Sequence, residues 1–238
     1  TFIFLFILFG AYLDATGLGK FFIDFANALA GWAVGGPAKV AVLSSGLMGT
    51  VSGSSVANVA GTGSFTIPMM KKLGYRPSFA GAVEAAASTG GQLMPPVMGA
   101  AAFLMAEFVG VPYIEVVKAA VIPALLYYTG IWLSVHYEAK KYGLKGTPRE
   151  ELPKFGPLLR EKGHLALPLI VIVYLLVTGY TPMRAALYAI GLTIVCACLR
   201  KNTRITFKQF VEGLIVGAQS VLGVLIACAS AGIIIGVV

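Results

Sequence analysis

Charge is scarce in this chain. Of its 238 residues 12% are Asp, Glu, Lys or Arg and 58% are hydrophobic, roughly half the charged share of a soluble domain. Too few charges remain to cover a surface in water, and the mean hydropathy of +0.85 agrees. That excludes a cytoplasmic enzyme, a nucleic-acid-binding module and a disordered regulator, and it makes lipid the main solvent. Cysteine is scarce too. Cys196, Cys198 and Cys228 each lie in an apolar run, which excludes a disulfide framework and reads as small residues facing core or lipid. The two histidines, His136 and His164, are far apart. No Ser/His/Asp arrangement, metal-ligand spacing or phosphate-binding glycine loop accompanies them, and Gly61-Thr62-Gly63 is too little for a nucleotide fingerprint. No enzyme chemistry and no cofactor is expected. The net charge of +8 reads in a membrane chain as topology-setting loop charge, not as a nucleic-acid surface.

What is present is a series of apolar runs. A helix needs about 20 apolar residues to cross the bilayer core. Thr1–Leu13 reads as the end of one span of a longer polypeptide, and Phe25–Ala38 as an amphipathic or partly embedded helix. Val40–Met70, Ala85–Ala106, Ala119–Tyr137, Gly163–Met183, Ala185–Leu199 and Gly213–Val238 are free of charge. The expected fold is all-α and polytopic. Residues 140–163, rich in charge and carrying Pro148, Pro153 and Pro157, read as an aqueous loop between a first bundle (1–139) and a second (164–238). Lys20, Lys39, Lys71, Lys72 and Arg76 form one basic group. The loop holds a second, from Lys140 to Lys162, and Arg200, Lys201, Arg204 and Lys208 form a third. Two crossings fit between successive groups, so all three fall on one side, the cytoplasmic one. Lys118 and Arg184 are left opposite.

Val40–Met70 is too long for one span, and Lys39 and Lys71 flank it. A hairpin over about 37–72 that enters and returns keeps both lysines on one side. Its middle reads Ser52-Gly53-Ser54-Ser55, with Asn58 just beyond. Twelve helical residues from Val40 reach about 18 Å, near the midplane. Polar backbone at that depth survives only inside protein or beside a wet cavity. Small residues also let helices pack closely, which is the alternative reading. Ala85–Ala106 repeats the pattern with Ser88-Thr89-Gly90-Gly91-Gln92 followed by Pro95-Pro96. The glycines and prolines predict a discontinuous helix over about 77–110, the alternative being a kinked continuous one. Two interrupted segments in one bundle point to a transporter site. Carbonyl and hydroxyl oxygens suit a Na⁺ ion, and a half-helix N-terminus near Ser55 or Asn58 suits a carboxylate. Glu84 stands in an otherwise apolar helix. It reads as an ion ligand, a proton carrier or a cation's partner, or else lies close enough to the cytoplasmic end to reach water.

At these breaks the sequence resembles the large membrane subunit, DctM-like, of tripartite ATP-independent periplasmic (TRAP) transporters. The resemblance rests on TVSGSSVANVAGTGSFTIPMMKKLGY (Thr50–Tyr75) and PSFAGAVEAAASTGGQLMPP (Pro77–Pro96). LGKFFIDFANALAGWAVGGPAKV (Leu18–Val40) and GYTPMRAALYAIG (Gly179–Gly191) extend it over almost the whole chain. Asn58, where many members carry Asp, and Glu84, where they carry a small polar residue, look like the branch served by TAXI-type receptors, whose membrane subunits are often fused.

The resemblance implies a secondary transporter in the cytoplasmic (inner) membrane, driven by a Na⁺ gradient. A periplasmic receptor hands it an organic acid, and a small membrane subunit, separate or fused upstream, assists. It also implies an elevator-type inverted repeat, complete here for the first repeat and only begun by Val238 for the second. Ser52, Gly53, Ser54, Ser55 and Asn58 then line the hairpin tip. Thr89, Gly90 and Gly91 supply oxygen ligands to Na⁺ beside them, with Ser88, Gln92 and Pro95 in the same break. The residues alone leave the ion open. A proton-coupled carrier using Glu84 and a non-transporting membrane scaffold are the other readings.

Overall fold

Glycine and proline set the ends of the helices. The computed structural model describes residues 2–199 and 206–237, apart from the side chains at 2, 227, 228, 231, 235 and 236. Arg200, Lys201 and Arg204 of the third basic group, and the Cys228 side chain, lie outside the described residues. Among those described, every regular element is helical. The first five helices are α1 (Phe2–Ala15), α2 (Leu18–Ala30), α3 (Gly36–Ser52), α4 (Ser55–Leu73) and α5 (Pro77–Gly90). Then come α6 (Ala100–Val109), α7 (Tyr113–Lys141) and α8 (Phe155–Lys162), followed by α9 (Leu167–Val177), α10 (Pro182–Cys198) and α11 (Phe207–Val237).

Length and composition let two described segments cross a bilayer alone, Tyr113–Lys141 and Phe207–Ile226; α1 and α2, bent 67° to each other, count as a third if taken as one broken span. The helix expected over Phe25–Ala38 differs in the structure. It runs earlier, as α2, and stops at Ala30. The chain then turns through Gly31–Gly35 before Pro37 enters the first turn of α3, where its missing N–H costs nothing. The stretch 140–163 is not all loop. It contains α8 and a 3₁₀ turn at Arg149–Glu151; α8 buries Leu158, and its Lys162 pairs with Asp24.

α3 and α4 are the two arms of a helical hairpin. They run antiparallel, because Ser45 and Thr62, eight residues to either side of the Gly53-Ser54 break, meet with their hydroxyls 3.1 Å apart. The hairpin lies between two cores. One is rich in alanine and valine, with Ala38, Ala41, Val83, Ala87 and Val135 completely or almost completely buried. Such small side chains bring α3, α5 and α7 close together. The other holds Phe6, Phe9, Met48, Val51, Phe103 and Tyr113. Its centre is the Phe103–Tyr113 stack, with centroids 4.5 Å apart, and Phe6 tilts against Phe103 at 5.3 Å. α11 lies on α1 through small residues: a Cβ on Gly217 would stand 2.8 Å from Leu8 Cδ1, and one on Gly213 2.9 Å from Tyr12 Cε1.

Lys20 follows Gly19, which lies against Met48 near the hairpin tip, but Lys39, Lys72 and Arg76 of the first basic group share one end of the molecule with the second. There the Gly35 N–H donates to the Leu144 carbonyl (3.3 Å) and the Thr147 N–H to that of Gly31 (2.8 Å). Arg76 pairs with Glu138 at 3.0 Å and Lys162 with Asp24 at 3.3 Å. In the turn between α4 and α5, burial and then the Glu138 carboxylate push the Tyr75 phenol up to about 12, so it stays neutral. Lys39 is buried, its Nζ 3.1 Å from His136 Nδ1 and over the Trp132 ring. Of the described cysteines, Cys196 is buried and Cys198 exposed.

Candidate functional site

The first break takes two residues. Gly53 ends α3 at φ 57°, a left-handed conformation that glycine adopts without a Cβ penalty. Ser54 follows in extended conformation, and its Oγ accepts the Ala57 N–H at 3.3 Å. It is a serine N-cap, which satisfies one of the free donors at the start of α4. Ser54, Val56 and Ala57 are exposed, while Asn58 is buried and donates from Nδ2 to the Ser45 carbonyl at 2.8 Å.

The second break is longer. α5 ends at Gly90, a 3₁₀ turn covers Gly91–Leu93, and Met94 is extended ahead of Pro95. The chain then loops to Gly99, whose N–H donates to the Gln92 carbonyl at 2.8 Å. Met98 has a positive φ of 54°. Tyr113 holds this loop from α7: its hydroxyl lies 2.8 Å from the carbonyls of both Pro96 and Val97.

The two breaks touch. Gln92 Nε2 donates to Ser55 Oγ at 3.0 Å. The backbones of Gly49 and Gly91 are in direct contact, since a Cβ on Gly91 would lie 2.8 Å from Gly49 Cα and 3.0 Å from Asn58 Nδ2. Gly53 in turn faces the Met98 carbonyl. Thr89 does not join them; its hydroxyl is exposed and donates to the Ala85 carbonyl of its own helix at 2.8 Å. A cavity of about 360 Å³ opens beside the tip, lined by Ser52, Gly53, Ser54, Met98, Phe103 and Asp14 among others. That volume is at the small end of ligand sites.

Glu84 is fully buried. Its carboxylate sits at the meeting of α3, α4 and α5. Ser45 (2.9 Å), Thr62 (2.5 Å) and Ser88 (3.1 Å) donate to Oε1, and Thr66 (2.5 Å) donates to Oε2. In this conformation the side chain does not reach water. Three of these hydroxyls, Ser45, Thr62 and Thr66, join the hairpin to α5; the fourth, Ser88, belongs to α5 itself.

The structure thus joins Ser55, Gln92, Gly53 and Gly91 at one place, and Glu84, Ser88 and Asn58 at another about the same hairpin. Sequence reasoning missed Ser45, Thr62, Thr66 and Asp14. A signal existed for two of them: Asn58, Thr62 and Thr66 recur every four residues, which lines one face of a helix.

The comparisons with known proteins agree among themselves. The sequence model of the family described as "Tripartite ATP-independent periplasmic transporter, DctM component" matches residues 1–238. The C4-dicarboxylate TRAP transporter large permease protein DctM of Pseudomonas aeruginosa is 32% identical over 185 residues, 77% of this chain and 43% of that protein. The sialic acid TRAP transporter large permease protein SiaM of Vibrio cholerae is 28% identical over 208 residues, 87% of this chain and 48% of its own length. The isethionate TRAP transporter permease protein DctMQ of Oleidesulfovibrio alaskensis is 29% identical over 195 residues, 81% of this chain and 30% of its own. The chain spans about half, or less, of the curated relatives it matches.

Proposed function

We propose a carrier function from one premise: the chain belongs to the DctM component family of tripartite ATP-independent periplasmic transporters. It acts as, or as part of, the large membrane subunit of a secondary transporter in the cytoplasmic membrane. A periplasmic receptor delivers an organic acid to it, and a small membrane subunit, separate or fused, works beside it. A Na⁺ gradient drives import.

The observation that carries this reading is the contact between two helix breaks beside a cavity. Interrupted helices at a shared site are how secondary transporters expose backbone oxygens and helix ends to cargo. The α4 N-terminus offers free N–H groups and a partial positive charge to a substrate carboxylate. The carbonyls of both breaks, the hydroxyls of Ser52 and Ser54 and the carboxylate of Asp14 are hard oxygen ligands for Na⁺, here a co-transported substrate. In this reading α3 and α4 form a re-entrant hairpin that moves as an elevator carries its cargo, with the shared basic end cytoplasmic. Asn58 and Glu84 support placement in the TAXI-type branch.

The test is uptake into proteoliposomes holding the complete polypeptide and its receptor, with labelled organic acids under an inward Na⁺ gradient or a matched K⁺ control. Uptake that needs receptor and Na⁺ is expected. No uptake of any acid sinks the carrier reading. Ser54→Ala removes the cap of α4, which costs about 1 kcal/mol, and should lower uptake about fivefold at unchanged insertion. Full uptake by the variant removes Ser54 from the site.

A further inference from the structure

Glu84 has four hydrogen-bond donors and, among the described residues, no counter-ion. Among the described residues no Lys, Arg or His forms an ion pair with it. A buried carboxylate left ionised without a cation costs several kcal/mol. A metal ion does not solve this in the observed packing. The hydroxyl oxygens stand in direct hydrogen-bond contact with the carboxylate oxygens, in the space an inserted cation needs for its own shell.

A proton does fit, and the geometry provides for both of its states. Thr62 Oγ1 lies 2.8 Å from the Asn58 carbonyl as well as against Glu84 Oε1. Thr66 Oγ1 lies 3.0 Å from the Thr62 carbonyl as well as against Oε2. When the carboxyl is neutral, its O–H donates to one of these threonines, which turns its own proton to the helix carbonyl one turn back. When the proton leaves to water, that threonine turns round and donates to the carboxylate. Within the closed box each state is hydrogen-bonded throughout and differs from the other by a hydroxyl rotor; the proton itself passes to or from water while α4 stands apart from α5.

We propose that Glu84 is a proton-binding site of the carrier, taking up and releasing one proton as the hairpin α3–α4 packs against and loosens from α5. The neutral form suits the dry, closed box. The ionised form gains from water, which reaches it when α4 moves off α5. The same seam carries the Gly49–Gly91 contact and the Gln92–Ser55 bond at the tip, so protonation of Glu84 biases the cargo site. The surrounding titratable groups are engaged elsewhere. From α3, Lys39 turns to His136 and Trp132. Lys71 and Lys72 are exposed at the far end of α4. Arg76, ahead of α5, pairs with Glu138 of α7. The α7 hydroxyls of Tyr127 and Tyr128 donate to the carbonyls of Ala86 and Ala87 at 2.9 and 2.8 Å.

The proposal rests on the carrier reading for its role in transport, but the proton site is measurable without transport. Infrared difference spectra of the complete polypeptide in lipid nanodiscs, recorded across pH, are expected to show a protonated carboxyl stretch that disappears on raising the pH and is missing from Glu84→Gln. Glu84→Asp, which keeps a titrating acid, should shift the band and identify it if Glu84→Gln folds poorly. In proteoliposomes wild-type uptake under a Na⁺ gradient should also respond to an added pH gradient, and Glu84→Gln should lose that response. A wild-type spectrum with no such band at any pH overturns the proposal. So does Glu84→Gln uptake that follows pH as the wild type does. Absence of all wild-type uptake sinks the carrier reading instead, and the spectra still decide the proton site.

Discussion

Valine at Gly91 is expected to reduce uptake about a hundredfold and to lower the thermal unfolding midpoint, with insertion retained. The reason is backbone against backbone. A Cβ at this position would stand 2.8 Å from Gly49 Cα and 3.0 Å from Asn58 Nδ2, and a Cβ on Gly49 would meet Gly91 in the same way. Overpacking costs about 1–3 kcal/mol where side chains can give way. Here the nearer partner, Gly49, is backbone and has no side chain to rotate away. The upper end of that range, about 3 kcal/mol, corresponds to about a hundredfold. The damage falls where the two breaks meet, so it strikes the site before it strikes the bundle. Gly61 on α4 is the control, because a Cβ there meets nothing within 4 Å, and Gly61→Ala should transport as the wild type does. Uptake assays and thermal unfolding of the two variants side by side check this. Equal behaviour of Gly91→Val and Gly61→Ala would show that the contact does not matter.

The glycine contact was invisible in the sequence, and the reason is instructive. Gly53, Ser54 and Pro95 announce themselves because their effects are local: a positive φ, a cap, a missing donor. Their consequences appear within two or three residues, so both breaks could be read where they occur. Gly49 and Gly91 act on each other across 42 positions of chain, and nothing local says which two glycines will touch. The bounds of α2 slipped for a related reason. The apolar run Phe25–Ala38 is continuous in hydropathy but is interrupted by a turn that brings Gly31 to Thr147 and Gly35 to Leu144. α8 was hidden among charges and prolines, and a short amphipathic helix there depends on burying Leu158. Glu84 was conspicuous as a lone carboxylate, yet its partners come from three helices. Only the four-residue spacing of Asn58, Thr62 and Thr66 was available beforehand, and hydroxyls at that spacing more often bond their own helix.

That last ambiguity has a measurable consequence. Thr62→Val and Thr66→Val together keep the volume of both side chains and remove two donors, leaving Ser45 and Ser88 on Oε1 and nothing on Oε2. Each hydrogen bond to an ionised group contributes about 1.5–3 kcal/mol, so the double variant should lose about 3–6 kcal/mol whenever the carboxyl carries charge. If the threonines matter through Glu84, adding Glu84→Leu to that pair should recover most of the loss, because the buried acid that lost its partners is gone. Glu84→Leu in the wild-type background should destabilise, through poorer shape and orphaned serines. The two effects are therefore non-additive, with a coupling at the high end of contacting residues. Unfolding of the four proteins in one detergent or lipid system measures it. If the losses simply add, the threonines bond only the carbonyls one turn back, and the box around Glu84 is a packing detail. If the triple variant is more stable than the double, the hydroxyls of α4 exist to hold that acid, and the hairpin is built around it.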